Sequence, residues 1–393
     1  MNGTIYMPVG EVCSSISDTY REKKNMVTLI NTSDVLEGRV LNHERVPNSN
    51  LKGQFKKTFQ RDDILYSEIR PQNRRFAYVD FSPIDYIAST KLMVIRAKKD
   101  VVSPKYLYYF LKNSSTVAEL QLLAETRSGT FPQITFSEVA NLTIPVPSLA
   151  VQEVIVQTMQ CLEDKITCNE QINDNLEQQA QFYFQELFVD NADPEWAIGT
   201  ISDLGTVVGG STPSKAKPEY YTESGIAWIT PKDLSINKSK FVSHGENDIT
   251  ELGLKNSSAA IMPEGTVLFS SRAPIGYIAI AAGEVTTNQG FKSVVPKPEI
   301  GTPFVYFFLK NTLPVIEGMA SGSTFKEVSG STMKNVPAVI PDAETLAKFS
   351  DFCAPIFAQQ RILEEQNQSL ATLRDNLLPK LMSGEIDVST VQL

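Results

Sequence analysis

Histidine is almost missing from this chain. His43 and His244 are the only two, far apart in sequence, which leaves little room for a histidine metal site or a histidine base. The four cysteines, Cys13, Cys161, Cys168 and Cys353, form no Cys-x-x-Cys pair, so a reduced, cytoplasmic chain is expected rather than a zinc or disulfide framework. No run of about 18 uninterrupted apolar residues occurs, which excludes a membrane-spanning helix. The opening MNGTIYMPVGEVC lacks the basic stretch and long apolar run of a secretory signal. Phosphate-loop, GxGxxG, HExxH and GxSxG patterns are missing, as are an amino-methyltransferase tetrapeptide and an acidic-x-Lys nuclease triad. The expectation is a chain that binds without chemistry of its own.

What is present is ordinary globular composition, with 42% hydrophobic and 21% charged residues in 393, enough for two domains and connecting structure. Self-similarity decides the organisation. YLYYFLKN, ending at Asn113, returns as FVYFFLKN, ending at Asn311, and Leu65-Tyr66-Ser67 returns as Leu268-Phe269-Ser270. Thr130-Phe131 returns as Thr324-Phe325, Ile144–Pro147 as Ala338–Pro341, and Asn173-x-x-Leu176 as Asn367-x-x-Leu370, these three at one offset of about 194 residues. That is too long for a solenoid unit, so a globular-plus-tail module is duplicated in tandem.

The globular parts, 1–147 and 196–341, are dense in β-branched and aromatic residues and in turn-forming Gly and Pro. Leu92-Met93-Val94-Ile95 and Tyr277-Ile278-Ala279-Ile280 read as strands. SPKYLYYFLKN and TPFVYFFLKN read as helices, with Ser103 and Thr302 as N-caps. The fold class is α+β. The tails, 148–195 and 342–393, carry heptad seams stepping 4-3-4-3. One runs through Ile155, Met159, Leu162, Ile166, Asn169, Asn173, Leu176, Ala180, Tyr183 and Leu187, the other through Phe349, Cys353, Ile356, Gln360, Leu363, Asn367, Leu370, Arg374, Leu377 and Leu381. Two separate amphipathic core helices would be the simpler reading, but seams this long favour an antiparallel coiled-coil pair. A helix from near Val151 to Leu187 is roughly 55 Å long at about 1.5 Å per residue. Asn173 and Asn367, equivalent by the repeat, are expected to set register.

Net charge is −9, which alone argues against nucleic acid. The excess acid, however, lies entirely on the helical tails, while residues 1–147 are net basic and 196–341 are balanced. Basic residues cluster in loops: Lys52, Lys56, Lys57 and Arg61, then Arg70, Arg74 and Arg75, and in the second module Lys215, Lys217, Lys232 and Arg272. Cations flanked by Ser, Thr, Asn and Gln suit phosphate and base-edge contacts, although a solvated surface explains scattered lysines equally well.

VVGGSTPSKAKPEYYTESGIAWITPKDL (207–234), LFSSRAPIGYIAIA (268–281), TTNQGFKSVVP (286–296), ASGSTF (320–325) and NLLPKLMSGEI (376–386) resemble the specificity subunit of type I restriction–modification systems. SGTFPQITFSEVANLTIPVPSLAVQEVI (128–155) carries the likeness in the first half. The resemblance implies two target recognition domains, each reading half of a split, asymmetric double-stranded DNA sequence. The helices would then be the spacer that docks two methyltransferase subunits and, through them, the restriction–translocase subunits. It also implies that this chain binds no cofactor, with S-adenosylmethionine, ATP and magnesium on the partners. Carried over by motif, DNA contact is expected at Ser211, Thr212, Lys215, Lys217, Lys232, Ser271, Arg272, Asn288, Gln289, Ser323 and Thr324. In the first domain it is expected at Asn31, Thr32, Lys56, Lys57, Arg70, Arg74, Arg75, Arg127, Ser128 and Thr130, with Arg70 and Arg272 at equivalent strand ends. EIRPQNRR replaces the family's SSRAPIG there. The competing readings are a fused restriction–methylation enzyme, which would need motifs this chain lacks, and a coiled-coil protein scaffold with incidental loop arginines.

Overall fold

The structure, a computed structural model, describes residues 4–22, 24–49, 53–126, 132–322 and 326–388. Contacts divide the chain into two units, Met1–Ile166 with Ser369–Leu393, and Thr167–Gln368. Each unit holds one globular segment and a stretch of both long helices, Leu149–Gln185 and Ala343–Ser383.

In the first unit, Ile5–Pro8 pairs antiparallel with Thr143–Val146 and ties the start of the globular segment to its end. One helical turn, Val9–Val12, leads into an antiparallel sheet ordered Cys13–Ile16, Leu92–Ala97, Ile64–Ser67, Phe76–Tyr78. Leu92, Met93, Val94 and Ile95 are all buried, as expected of an uninterrupted apolar run covered on both faces. A second sheet, ordered Arg45–Pro47, Met26–Ile30, Tyr86–Ser89, Phe55–Lys57, contains a parallel pair between its two middle strands. Helix Pro104–Lys112 starts at the Ser103 cap and sinks Tyr106, Leu107, Tyr109 and Leu111 into the core.

The second unit repeats this order. Ala197–Thr200 pairs with Pro337–Ile340, and the turn Ile201–Leu204 leads into a sheet ordered Gly205–Gly209, Lys292–Pro296, Val267–Ser271, Ile275–Ala281, with Phe241–Val242 added at the edge. Its second sheet again holds a parallel pair, Ile226–Ile229 with Thr286–Thr287. A duplicated sequence thus has a duplicated topology. The N-cap expected at Thr302 is instead Gly301, at φ 80°, a conformation in which a Cβ would be strained. Thr302 is helical, and its hydroxyl donates to the Gly265 carbonyl at 2.8 Å.

Within each unit the two long helices run antiparallel. In the first, Ile155, Val156 and Met159 share a core with Leu378, Leu381 and Met382. In the second, Ala180 and Phe184 share one with Leu346, Phe349, Cys353 and Ile356. The seam positions Ile155, Met159, Phe349, Ile356 and Leu363 are buried, and Leu162, Ile166, Asn173, Leu176, Asn367, Leu370 and Leu377 are half-buried. Polar register contacts differ from the expectation that Asn173 and Asn367 play equivalent parts. Asn169 Nδ2 donates to Asn367 Oδ1 at 2.8 Å, while Asn173 faces Gln360, whose Nε2 donates to its carbonyl at 3.1 Å. The repeat places Leu363 where the first helix has Asn169, so Asn173 lacks the carboxamide partner that Asn367 has and meets Gln360 instead.

Candidate nucleic-acid interface

The second unit gathers its polar loops around one cleft. Gly209-Gly210 ends the strand Gly205–Gly209, and a Cβ on Gly210 would lie 2.0 Å from the Asn288 carbonyl, so only glycine lets the two loops approach. Thr212 then donates its hydroxyl to Gln289 Oε1, and Trp228 Nε1 donates to the Ser211 carbonyl at 2.9 Å. Asn288 Oδ1 accepts from Gly290 N at 2.8 Å, which fixes the turn carrying Gln289. Thr230 caps the short helix Pro231–Ile236 in a reciprocal box with Asp233, and this displays Lys232 beside Glu246. Arg272 follows the strand Val267–Ser271, with Nη1 3.5 Å from Glu327. Thr212, Lys215, Lys232, Arg272, Asn288 and Gln289 together line a cleft of about 490 Å³. Hydroxyls, carboxamides and cations around a concave, open surface are the groups that contact phosphates and base edges.

Other expected contacts are used differently. Ser271 is fully buried and donates to the Gly290 carbonyl at 3.1 Å, so it joins strands rather than facing the cleft. Lys217 folds onto Tyr220, 3.0 Å from its hydroxyl. In the first unit, the half-buried Lys57 donates to the Leu92 carbonyl at 2.7 Å. Arg74 donates to the Lys112 carbonyl at 3.2 Å, and Arg75 to the Ser33 carbonyl at 3.0 Å. Asn31 accepts from Thr32 N at 2.9 Å as the cap of a short turn. Three of the first unit's cations therefore bond to backbone carbonyls of the fold itself. Lys56 and Arg70 are exposed. Arg127, Ser128, Thr130, Ser323 and Thr324 lie outside the described residues.

Backbone hydrogen bonds align the two units and correct one equivalence. Glu68 N donates to Lys91 O at 3.0 Å and Ile134 N to Glu68 O at 2.9 Å, matching Ser271 N to Gly290 O at 2.7 Å and Val328 N to Ser271 O at 3.0 Å. Glu68 therefore corresponds to Ser271 and Ile69 to Arg272. Arg70 corresponds to Ala273, and these two share a left-handed backbone, φ 45° and 53°, before Pro71 and Pro274. Matching by residue type had placed Arg70 one position off. The cation that occupies this part of the first unit is Lys91, 3.2 Å from Glu68 and 3.3 Å from Gln133 Oε1. No motif marked it; only alignment through strand pairing finds it.

Acidic helix residues also turn toward the globular segments. In the first unit Lys112 pairs with Glu163, which also accepts from the Tyr109 hydroxyl at 2.9 Å. In the second, Lys310 and Lys240 converge on Glu177, with Lys240 Nζ at 2.8 Å and the Tyr306 hydroxyl at 3.0 Å. Burial works against the Glu177 charge, yet the two ammonium groups outweigh it and hold the carboxyl at about 2. Burial pushes Lys240 down to about 8 against the pull of Glu177. Its side chain is 7% exposed and sits 3.5 Å over the Phe357 ring centre. The recurring Leu-Lys-Asn triplet was the sequence signal for Lys112 and Lys310; Lys240 has no counterpart signal.

Known proteins place this arrangement. The sequence pattern of the type I restriction modification DNA specificity domain matches twice, at residues 6–178 and 194–373. The chain belongs to the type I restriction–modification DNA specificity family. It is similar to the type I restriction enzyme HindI specificity subunit of Haemophilus influenzae, 29% identical over 92% of this chain and 94% of that one. It is also similar to the MjaIX specificity subunit of Methanocaldococcus jannaschii, 39% identical over 46% of this chain and 44% of the other. A crystal structure of the S subunit from M. genitalium shares the fold, with TM-score 0.55 and 17% identity over 97% of this chain and 96% of that chain. As a family member the chain is a DNA sequence-specificity subunit, and a scaffold binding only proteins is not favoured. Its two family domains fall on the two repeats, each with the same central strand pairings but different edge strands and differently equipped loops. Among the described residues no group of three or more His, Cys, Asp or Glu side chains is placed to hold a metal ion, and no helix is long and apolar enough to cross a membrane.

Proposed function

We propose that the chain reads a bipartite, asymmetric duplex DNA sequence, one half by each globular segment, and does no chemistry itself. The observation that carries this is the pairing of one topology, used twice, with loops that differ at matched positions: Arg272 against Ile69, Gly290 against Lys91, Ser271 against Glu68 and Glu327 against Gln133. Two similar frames with unlike polar groups read two unlike half-sites, because discrimination comes from the donors and acceptors offered to base edges. The gap between half-sites follows from the helix pair and the DNA pitch of about 34 Å per turn. Near-equivalent units suit two copies of one partner, and we assign that role to two methyltransferase subunits, through which restriction–translocase subunits join. S-adenosylmethionine, ATP and magnesium belong to those partners in this reading, and the complex works in the cytoplasm, where its DNA is.

Mapping methylated bases in DNA from cells expressing the complex tests this reading. A two-part motif with a fixed gap is expected, and it should vanish when this chain is deleted. Inserting one heptad in each long helix should change the gap. A single uninterrupted motif, or methylation indifferent to the chain, overturns the proposal.

A further inference from the structure

The cleft of the second unit has one carboxylate among its lining residues, Glu246 beside Lys232, and a second, Glu327, just outside them and paired with the lining cation Arg272. Glu327 Oε2 lies 3.5 Å from Arg272 Nη1, and its Oε1 lies 3.8 Å from Lys292 Nζ. Its backbone is pinned: Glu327 bridges Ser321, and the next residue, Val328, donates to the Ser271 carbonyl at 3.0 Å. The carboxylate is therefore held at the strand end from which Arg272 projects. Lys292 is further tied to the Gln289 carbonyl at 3.3 Å, beside the cleft's carboxamides. The ion pairs are longer than good charge-assisted hydrogen bonds, and Arg272 and Glu327 are each 39% exposed. Such a pair contributes little to folding. It does alter what a phosphate meets on arrival: one negative charge already neutralises part of the field of two cations.

The first unit meets the same need in another way. Lys91 sits between the carboxylate of Glu68 and the neutral Gln133. Ile134 corresponds to Val328 in the strand-pairing alignment, so Gln133 stands where the second unit has Glu327. In both units a cation at the strand end is paired with a local carboxylate, but the acid comes from different positions.

We propose that Glu327 is a specificity-determining positioning residue of the second cleft. It holds the Arg272 guanidinium toward the base edges and, as a counter-charge, penalises sequence-independent contact of Arg272 and Lys292 with phosphates. The proposal rests on the reading of this cleft as a DNA half-site. A phosphate can also accept from a guanidinium in bidentate fashion, but at an unmatched sequence none is held at the position that repays breaking the pair. A correctly placed guanine offers Arg272 a bidentate acceptor, which does. Discrimination then comes from an element acting against the wrong partner as much as from attraction to the right one.

The test compares wild type, Glu327→Gln and Glu327→Asp in the full chain assembled with its methyltransferase subunits. Binding is measured across a salt series to a duplex carrying the motif found by methylation mapping and to a scrambled duplex. Glu327→Gln should raise affinity for the scrambled duplex about three- to tenfold and steepen its salt dependence by about one released counterion. Its gain on the cognate duplex should be smaller, so the specificity ratio falls; Glu327→Asp should restore most of it. Scrambled-duplex affinity and salt slope unchanged in Glu327→Gln overturn the proposal, and so does an equal loss on both duplexes with a lowered unfolding midpoint, which marks a structural role. If wild type itself does not distinguish the two duplexes, the half-site reading fails, and this proposal with it.

Discussion

The two units share a topology but place several of their charges differently. In the first, Lys57, Arg74 and Arg75 are spent inside the unit on carbonyls of Leu92, Lys112 and Ser33. In the second, Lys215, Lys232 and Arg272 remain around an open cleft. The attachment to the helices differs as well. One lysine and a tyrosine meet Glu163 in the first unit, whereas two lysines and a tyrosine converge on Glu177 in the second. A net-basic segment is therefore not automatically the stronger electrostatic reader, since a cation satisfied within the fold adds nothing specific to a DNA surface.

The comparison breaks most sharply at Glu177. Glu177→Ala leaves Lys240 buried without its carboxylate, and removing one partner of a buried pair costs about 3–5 kcal/mol. Urea unfolding of the full chain should show this loss in the transition of the second unit, with Glu163→Ala giving a clearly smaller one. Equal losses would mean that the extra cation is energetically idle.

Acid sharpens the same contrast. The Glu177 carboxyl titrates near 2 in the folded chain against 4.5 for the ordinary side chain, so its contribution is fully present above pH 4.5 and is lost as pH falls through 2. The stability difference between wild type and Glu177→Gln should shrink over that interval by up to about 3 kcal/mol. A difference independent of pH between 5 and 2 would refute the assignment.

Arginine substitutions give the smallest effects and separate the two uses of charge. Arg272→Ala should weaken cognate DNA binding by about 1–3 kcal/mol and relax the preference at one base position. Arg75→Ala should lower stability by about 1 kcal/mol and leave the salt dependence of binding unchanged. The roles are misassigned if Arg75→Ala flattens the salt dependence while Arg272→Ala does not.

Much of the architecture was legible from local pattern. The repeated YLYYFLKN and FVYFFLKN segments became matching helices, and the 4-3-4-3 seams became the buried faces of Leu149–Gln185 and Ala343–Ser383. The candidate site was legible only in part. Arg272 and Gln289 reach the cleft, but Ser271, adjacent to Arg272, points into the strand network because side chains alternate along a strand. Asn169 was on the seam without being singled out, and it is the residue that meets Asn367.

The amino-acid order alone determined the duplication, the strand and helix types, the long apolar seams and the family, since each depends on periodicity or on short runs of neighbours. Only the tertiary structure decided which cations stay available to DNA. Whether a lysine or arginine is consumed internally depends on a carbonyl or carboxylate brought close from tens of residues away, as Lys112 O is to Arg74 and Glu177 to Lys240. That proximity is a property of the packed chain and leaves no trace in the spacing of residues along it.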